Sequence, residues 1–204
     1  MRDINRKVAN ATDRRRALEL IDAMKVGRLV GCMADRVEHE FYENVAAVLA
    51  ETEQGLARLR KQLVIANEIV GLFGPPSQVP LDHFDGHAVR TRGVAETLMR
   101  LATRVSASHD VAGRAVARVR ANAAPSTKGK QSIKDCVVIE TYFDHVRQLR
   151  EAGDDAKVVF LSSNREDYCE EGSLTLRAPL KAEFIALGME FWPNFGAAKH
   201  ALGL

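Results

Sequence analysis

The chain has 204 residues, is 46% hydrophobic and 27% charged, and carries a formal net charge of +2, so it can bury one sizeable core and is neither disordered nor fibrous in character. No apolar run approaches the ~20 residues of a bilayer crossing, and the N-terminal bases Arg2, Arg6, Lys7, Arg14, Arg15 and Arg16 are not followed by the hydrophobic segment of a signal peptide. A cytoplasmic protein without a membrane partner is expected.

In chain order, residues 12–26 read as a helix capped by Thr12 or Asp13, with Ala17, Leu18, Leu20, Ile21 and Met24 as its apolar stripe and Gly27 as its stop. Leu29-Val30-Gly31-Cys32-Met33 is consistent with a short buried parallel strand, after which Asp35 can cap a helix. From Val37 to about Phe73 apolar residues recur at three- and four-residue steps, interrupted or bent at Gly55, where glycine costs about 1 kcal/mol against alanine. Gly74-Pro75-Pro76 opens a break that runs to Pro80. The stretch Asp82-His83-Phe84-Asp85-Gly86-His87 reads as a surface loop.

Residues 87–103 and 110–121 are expected as two further helices, and 122–129 as a loop. Ser132 caps a helix carrying Asp135, whose buried stripe is Cys136, Val137, Ile139, Phe143, Val146 and Leu149. Gly153-Asp154-Asp155 turns into Val158–Leu161, an unbroken apolar strand of the kind covered on both faces of a parallel sheet. A helix near Ala178–Leu187, a strand at Met189–Trp192 and a helix over Asn194–Leu202 complete the expected fold. It is α/β, a three-layer α/β/α sandwich with a small parallel sheet and a large helical middle section, in one domain over 1–204 with a helical insertion at about 45–130. The cysteines Cys32, Cys136 and Cys169 form no CxxC or Cys/His pattern, which argues against a disulfide framework or a zinc module. Cys32 and Cys136 read as small core side chains.

Three pieces carry a family likeness: Val37-Glu38-His39-Glu40-Phe41, the Lys134-Asp135 helix start, and Ser162-Ser163-Asn164 with Asp167-Tyr168 after an apolar strand. Together they resemble the PIN-domain-like nucleases, in particular the larger bacterial and archaeal branch with a helical centre. That family runs from a strand ending in Asp, through an acid opening a helix and a Lys-Asp helix, to a strand ending in a Ser/Thr-x-Asp/Asn turn. Glu40, Asp135 and the 162–168 turn match the second, third and fourth elements. The opening strand has no room ahead of Asp3, so either the start lies upstream of Met1 or the chain is a degenerate or truncated member, with Asp3 as a candidate stand-in for the missing acid.

The resemblance implies a metal-dependent nuclease, most readily an endoribonuclease, hydrolysing phosphodiester bonds with Mg2+ or Mn2+. Glu40, Asp135 and Asp167 would hold the metal, and Asn164 would assist through its carbonyl oxygen or by orienting a water. Such hard ions take oxygen ligands and keep several waters, so a few carboxylates converging from separate elements suffice. Ser162 is expected to hydrogen-bond a ligand carboxylate. Glu140 is a lesser candidate, because five residues beyond Asp135 it lies about 140° further round the helix.

Residues 98–134 hold eight bases against the single acid Asp110. Arg114, Arg118, Arg120, Lys128, Lys130 and Lys134 are therefore candidate contacts to an RNA backbone. By resemblance, a toxin-antitoxin role would add an antitoxin-like protein or a second copy as partner. The alternative is a catalytically degenerate PIN-like protein that binds nucleic acid or regulates.

Overall fold

The computed structural model describes residues 11–74, 85–127 and 132–204. Helix α1 (Ala11–Lys25) buries Ala17, Leu20, Ile21 and Ala23. It ends where Gly27 takes a positive φ of 73° and Arg28 N donates back to Ala23 O at 2.9 Å. The chain then forms β1 (Cys32–Ala34), the 39-residue helix α2 (Asp35–Phe73), α3 (His87–Leu101) and β2 (Thr103–Val105). After α4 (His109–Arg120) and α5 (Ile133–Glu151) come β3 (Val158–Leu161), the single turn α6 (Arg165–Tyr168), α7 (Ala178–Ala186), β4 (Met189–Trp192) and α8 (Phe195–Ala201).

The architecture is mixed α/β and mostly helical. Its strands form two separate parallel pairs, β1 with β2 (Cys32 opposite Thr103, Ala34 opposite Val105) and β3 with β4 (Val158 opposite Met189, Leu161 opposite Trp192). One small continuous sheet was expected, and the difference has a local cause. The amide of Ala34, at the edge of β1, donates at 2.9 Å to the hydroxyl of Tyr142 from α5. The ring of the same tyrosine meets Phe160 of β3 edge-on at 5.5 Å. A side chain thus joins the two pairs and satisfies a strand-edge donor that a further strand would otherwise take.

The main core lies between α5, α7 and the β3–β4 pair, built from Ile139, Phe143, Val146, Phe160, Leu180, Phe184 and Met189. α8 is tied to α1 by Lys199 Nζ on Glu19 Oε2 at 2.6 Å. Three readings of the sequence change. Thr103 belongs to β2 rather than to the preceding helix, because three residues carry too little pattern to reveal a strand that exists through its pairing. Residues 165–168 form a helical turn. Cys32 is exposed, with its sulfur 3.7 Å from His145 Nε2, while Cys136 and Cys169 are buried.

Gly55 neither breaks nor ends α2. A Cβ built on it meets no atom within 4 Å, so alanine there gains helix propensity at no steric cost. Gly55→Ala is expected to raise stability by about 0.5–1 kcal/mol in urea denaturation; a loss of stability would mean that the glycine serves a packing need.

Candidate functional site

The carboxyl end of β3 runs into Ser162-Ser163-Asn164. Ser162 N bonds Trp192 O at 3.2 Å, extending the β3–β4 pair, and Asn164 N donates to Ser162 Oγ at 3.3 Å. This hydrogen-bonded turn launches α6, which brings Asp167 inward to 3% exposure while the Asn164 side-chain amide donates to its carboxylate. Asp135 lies in the first turn of α5, where its own N–H donates to the capping Ser132 Oγ at 3.4 Å and the Ser132 hydroxyl donates to its carboxylate. An acid three residues after a capping serine is also favoured by the positive end of the helix dipole.

The two aspartates have a common neighbour. Burial first, and then the charges of Asp135 and Asp167, hold the Tyr168 phenol well above its ordinary pKa. Carboxylates from two elements more than thirty residues apart, one at the N-terminal end of α5 and one beyond the carboxyl end of β3, thus both bear through their charge on one buried phenol.

Glu40 does not join them. Its carboxylate accepts from Arg36 Nε at 3.3 Å, one turn back along α2, and the neighbouring His39 pairs with Glu43 at 3.1 Å. Among the described residues, no three His, Cys, Asp or Glu side chains come together as a set able to hold a metal ion, so the expected convergence of Glu40, Asp135 and Asp167 is not formed. Phe41 and Val45 direct one face of α2 into the core against Ala95. Glu40 is left to form an i,i+4 pair on the helix surface.

Glu140 is 4% exposed and faces away from Asp135, into an ion network. It accepts from Arg118 Nε at 2.9 Å and from Arg114 Nε at 3.2 Å, and Arg114 also bonds Asp144. Arg118 reaches Glu183 and the carbonyl of Ala124 as well. Arg118, expected on a phosphate-contacting face, is thus 6% exposed, with its donors committed inside the protein, and Arg114 is partly drawn into the same network. The reason is helix phase: Val111, Ala115 and Arg118 share the buried face of α4. Arg120 and Lys134 remain exposed. Lys128, Lys130, Asp3 and His83 lie outside the described residues.

Asp35, expected to cap α2, is instead its first residue, after an Ala34 N-cap with no side-chain cap hydrogen bond, and its carboxylate has a different role. β1 ends directly at Asp35, whose carboxylate accepts from Ser106 Oγ, just past β2, at 2.5 Å. Cys32 lies beside His145 and Ala34 beside Tyr142, so β1 runs antiparallel to α5, as β3 does. The carboxyl ends of β1 and β3 therefore point towards the same end of α5, the side on which open α/β sheets bind ligands. A short strand thus closes directly on an aspartate at 32–35. The signal was the run Leu29–Met33 followed by Asp35.

Elsewhere a cleft of about 380 Å³ opens between α2, α3 and β2, lined by Glu38, Tyr42, Glu96, Met99, Arg100 and Arg104. Arg104 bridges it to Glu38 at 2.7 Å. Its walls carry both signs of charge and it does not include the aspartate pair. No helix among the described residues is long and apolar enough to cross a membrane. Neither protein-family models, nor curated proteins, nor solved structures match this chain.

Proposed function

We propose that this chain is a metal-dependent nuclease on a PIN-like α/β/α scaffold, acting on RNA, with Asp135 and Asp167 as the carboxylates that hold Mg2+ or Mn2+. The observation that carries this reading is that Asp135 lies in the first turn of α5, that Asp167 follows the carboxyl end of the β3–β4 pair, and that the charges of both bear on the buried Tyr168 phenol. The donors suit a hard cation: two carboxylates, the side-chain oxygen of Asn164 and the Ser162 hydroxyl are all oxygen ligands or their supports. Mg2+ is commonly held by one or two carboxylates together with substrate phosphate, so a pair is adequate where Glu40 stands apart. When bound, such an ion supplies polarisation of a phosphoryl oxygen and an acidified water.

The remaining roles belong to the chain itself. Asn164 holds Asp167 in place through its amide, and Ser132 does the same for Asp135. Asp35 adds negative charge on the same side of α5. Lys134 and Arg165, both exposed and each next to this acidic rim in sequence, are the cations best placed to meet a phosphodiester backbone, with Arg120 further along α4. Arg118 has no part in this.

The test is cleavage of labelled single-stranded RNA in Mn2+ by the full chain. Asp135→Asn and Asp167→Asn are each expected to slow cleavage by more than about 100-fold, whereas Glu171→Gln, a change at an exposed acid, leaves it unchanged. Wild-type rates in both asparagine variants, at equal folded fraction, would overturn the assignment. A second reading, a nucleic-acid-binding protein that no longer cuts, is favoured by the engagement of Glu40 with Arg36. It predicts salt-sensitive RNA binding with no cleavage in Mn2+, and binding that survives Asp135→Asn.

A further inference from the structure

Cys32 and His145 meet at a place that the candidate site does not use. The two residues are 113 positions apart, which hides the pair from any local Cys/His spacing, yet the Cys32 sulfur lies 3.7 Å from His145 Nε2. Both come from regular elements. Cys32 opens β1 and is held in register opposite Thr103 of β2, while His145 stands on α5 between the buried Phe143 and Val146. One turn back along the same helix, Tyr142 reaches the amide of Ala34. Residues three apart on α5 thus meet residues two apart on β1, so the strand is set against the helix and the thiol against the imidazole.

We infer that Cys32 and His145 are the two protein ligands of a site for a thiophilic divalent cation such as Zn2+. Their separation carries the argument. With Zn–S at about 2.3 Å and Zn–N at about 2.0–2.1 Å, a near-tetrahedral angle at the metal puts sulfur and nitrogen about 3.6–3.7 Å apart, so an ion is accommodated without movement of either element. Binding exchanges the thiol proton, released to solvent, for the ion, and uses the imidazole in its neutral form. Access is open as well. Of the three cysteines Cys32 alone is exposed, while Cys136 and Cys169 are buried. Among the described residues no third Cys, His, Asp or Glu completes a set with the pair, so the remaining coordination positions fall to water and the site is of the open kind, unlike a closed four-ligand module.

The donor atoms set this site apart from the aspartates. Thiolate sulfur and imidazole nitrogen suit Zn2+, whereas carboxylate and amide oxygens suit Mg2+ or Mn2+. His145 also follows Asp135 by ten residues on α5, about 15 Å along the helix axis, so the two kinds of ion do not compete for ligands. A bound Zn2+ ties β1 to α5 beside the Tyr142 bridge and favours the folded state by mass action. The inference therefore stands apart from the nuclease reading.

Alkylation of the full chain by iodoacetamide tests it. Because the other two thiols are buried, labelling should fall on Cys32, and Zn2+ at about ten times its dissociation constant should slow it about 10-fold while Mg2+ at the same concentration leaves it unchanged. That constant is expected on the order of 10 µM, since two protein ligands hold the ion far more weakly than four. Co2+ in place of Zn2+ should give a sulfur-to-metal charge-transfer band. Cys32→Ser is expected to abolish the band and His145→Gln to weaken binding at least about 10-fold, both with the circular dichroism of the wild type, and Asp135→Asn should leave the protection intact. His39 and Glu43, 3.1 Å apart on α2, offer Zn2+ another place to settle, but an ion there gives no sulfur band. Labelling of Cys32 at one rate with and without Zn2+, a cobalt band that survives Cys32→Ser, or protection that His145→Gln leaves at full strength would each overturn the inference.

Discussion

Replacing Arg118 with methionine is expected to destabilise the fold by about 3–5 kcal/mol. The guanidinium is 6% exposed and holds three elements together. It donates to Glu140 of α5 from Nε at 2.9 Å, to Glu183 of α7 from Nη1 at 2.9 Å and Nη2 at 2.6 Å, and to Ala124 O at 2.8 Å. Burial by itself would lower the pKa of this group, but Glu183 and Glu140 outweigh burial and hold it above its ordinary value. Methionine keeps much of the side-chain volume, so the loss is mainly that of charge and hydrogen bonds. Glu140, itself 4% exposed, would be left with Arg114 alone.

Urea denaturation should therefore show a lower midpoint at an unchanged slope. Adding Glu140→Met to Arg118→Met removes the stranded carboxylate and is expected to recover at least about half of the loss, since a buried ion pair exchanged for apolar side chains is commonly near neutral. Glu183 is 37% exposed at its side chain and can turn to water. A single-variant loss under about 1 kcal/mol would show that the network contributes little.

Phe160→Ala is expected to cost about 3–5 kcal/mol as well, by a different route. The ring is 8% exposed and lies 5.3 Å from Tyr168, 5.5 Å from Tyr142 and 5.9 Å from Phe184, meeting each edge-on, with Phe191 tilted beside it at 6.2 Å. Alanine would leave a cavity that four aromatic rings and a paired strand cannot collapse to fill. For a chain of this length the melting temperature should fall by roughly 6–20 °C. Phe160→Leu, which keeps most of the volume, should lose less than half as much. Because Tyr168 and Tyr142 both lean on this ring, the alanine variant should also lose the metal-dependent cleavage proposed for this chain near its own melting range, before global unfolding. Identical activity up to the unfolding midpoint would show that the aspartate pair does not depend on the aromatic cluster.

Much of this molecule was legible in the chain. The apolar periodicity of α2 and α5, the cap at Ser132 and the unbroken run Val158–Leu161 all lie within a few residues of the elements they form, because local spacing alone decides which face can be buried. Glu140 was set apart from Asp135 by helix phase, and it faces the other way. The cationic excess of 98–134 was also legible, but not the fate of each base. Whether an arginine meets solvent or a buried glutamate depends on what packs over it, and Arg118 is covered by residues 22 and 65 positions away.

Composition, helical phase and strand character follow from neighbours within a turn or two, and the sequence by itself determined them. The tertiary structure decided the rest: that the strands form two pairs joined through Tyr142, that Asp35 closes a strand, that the charges of Asp135 and Asp167 both bear on Tyr168 while Glu40 turns to Arg36, and that the far end of α2 stands uncovered. Each of these rests on contacts between segments distant in sequence, whose free energies depend on burial and partner geometry that no local pattern encodes.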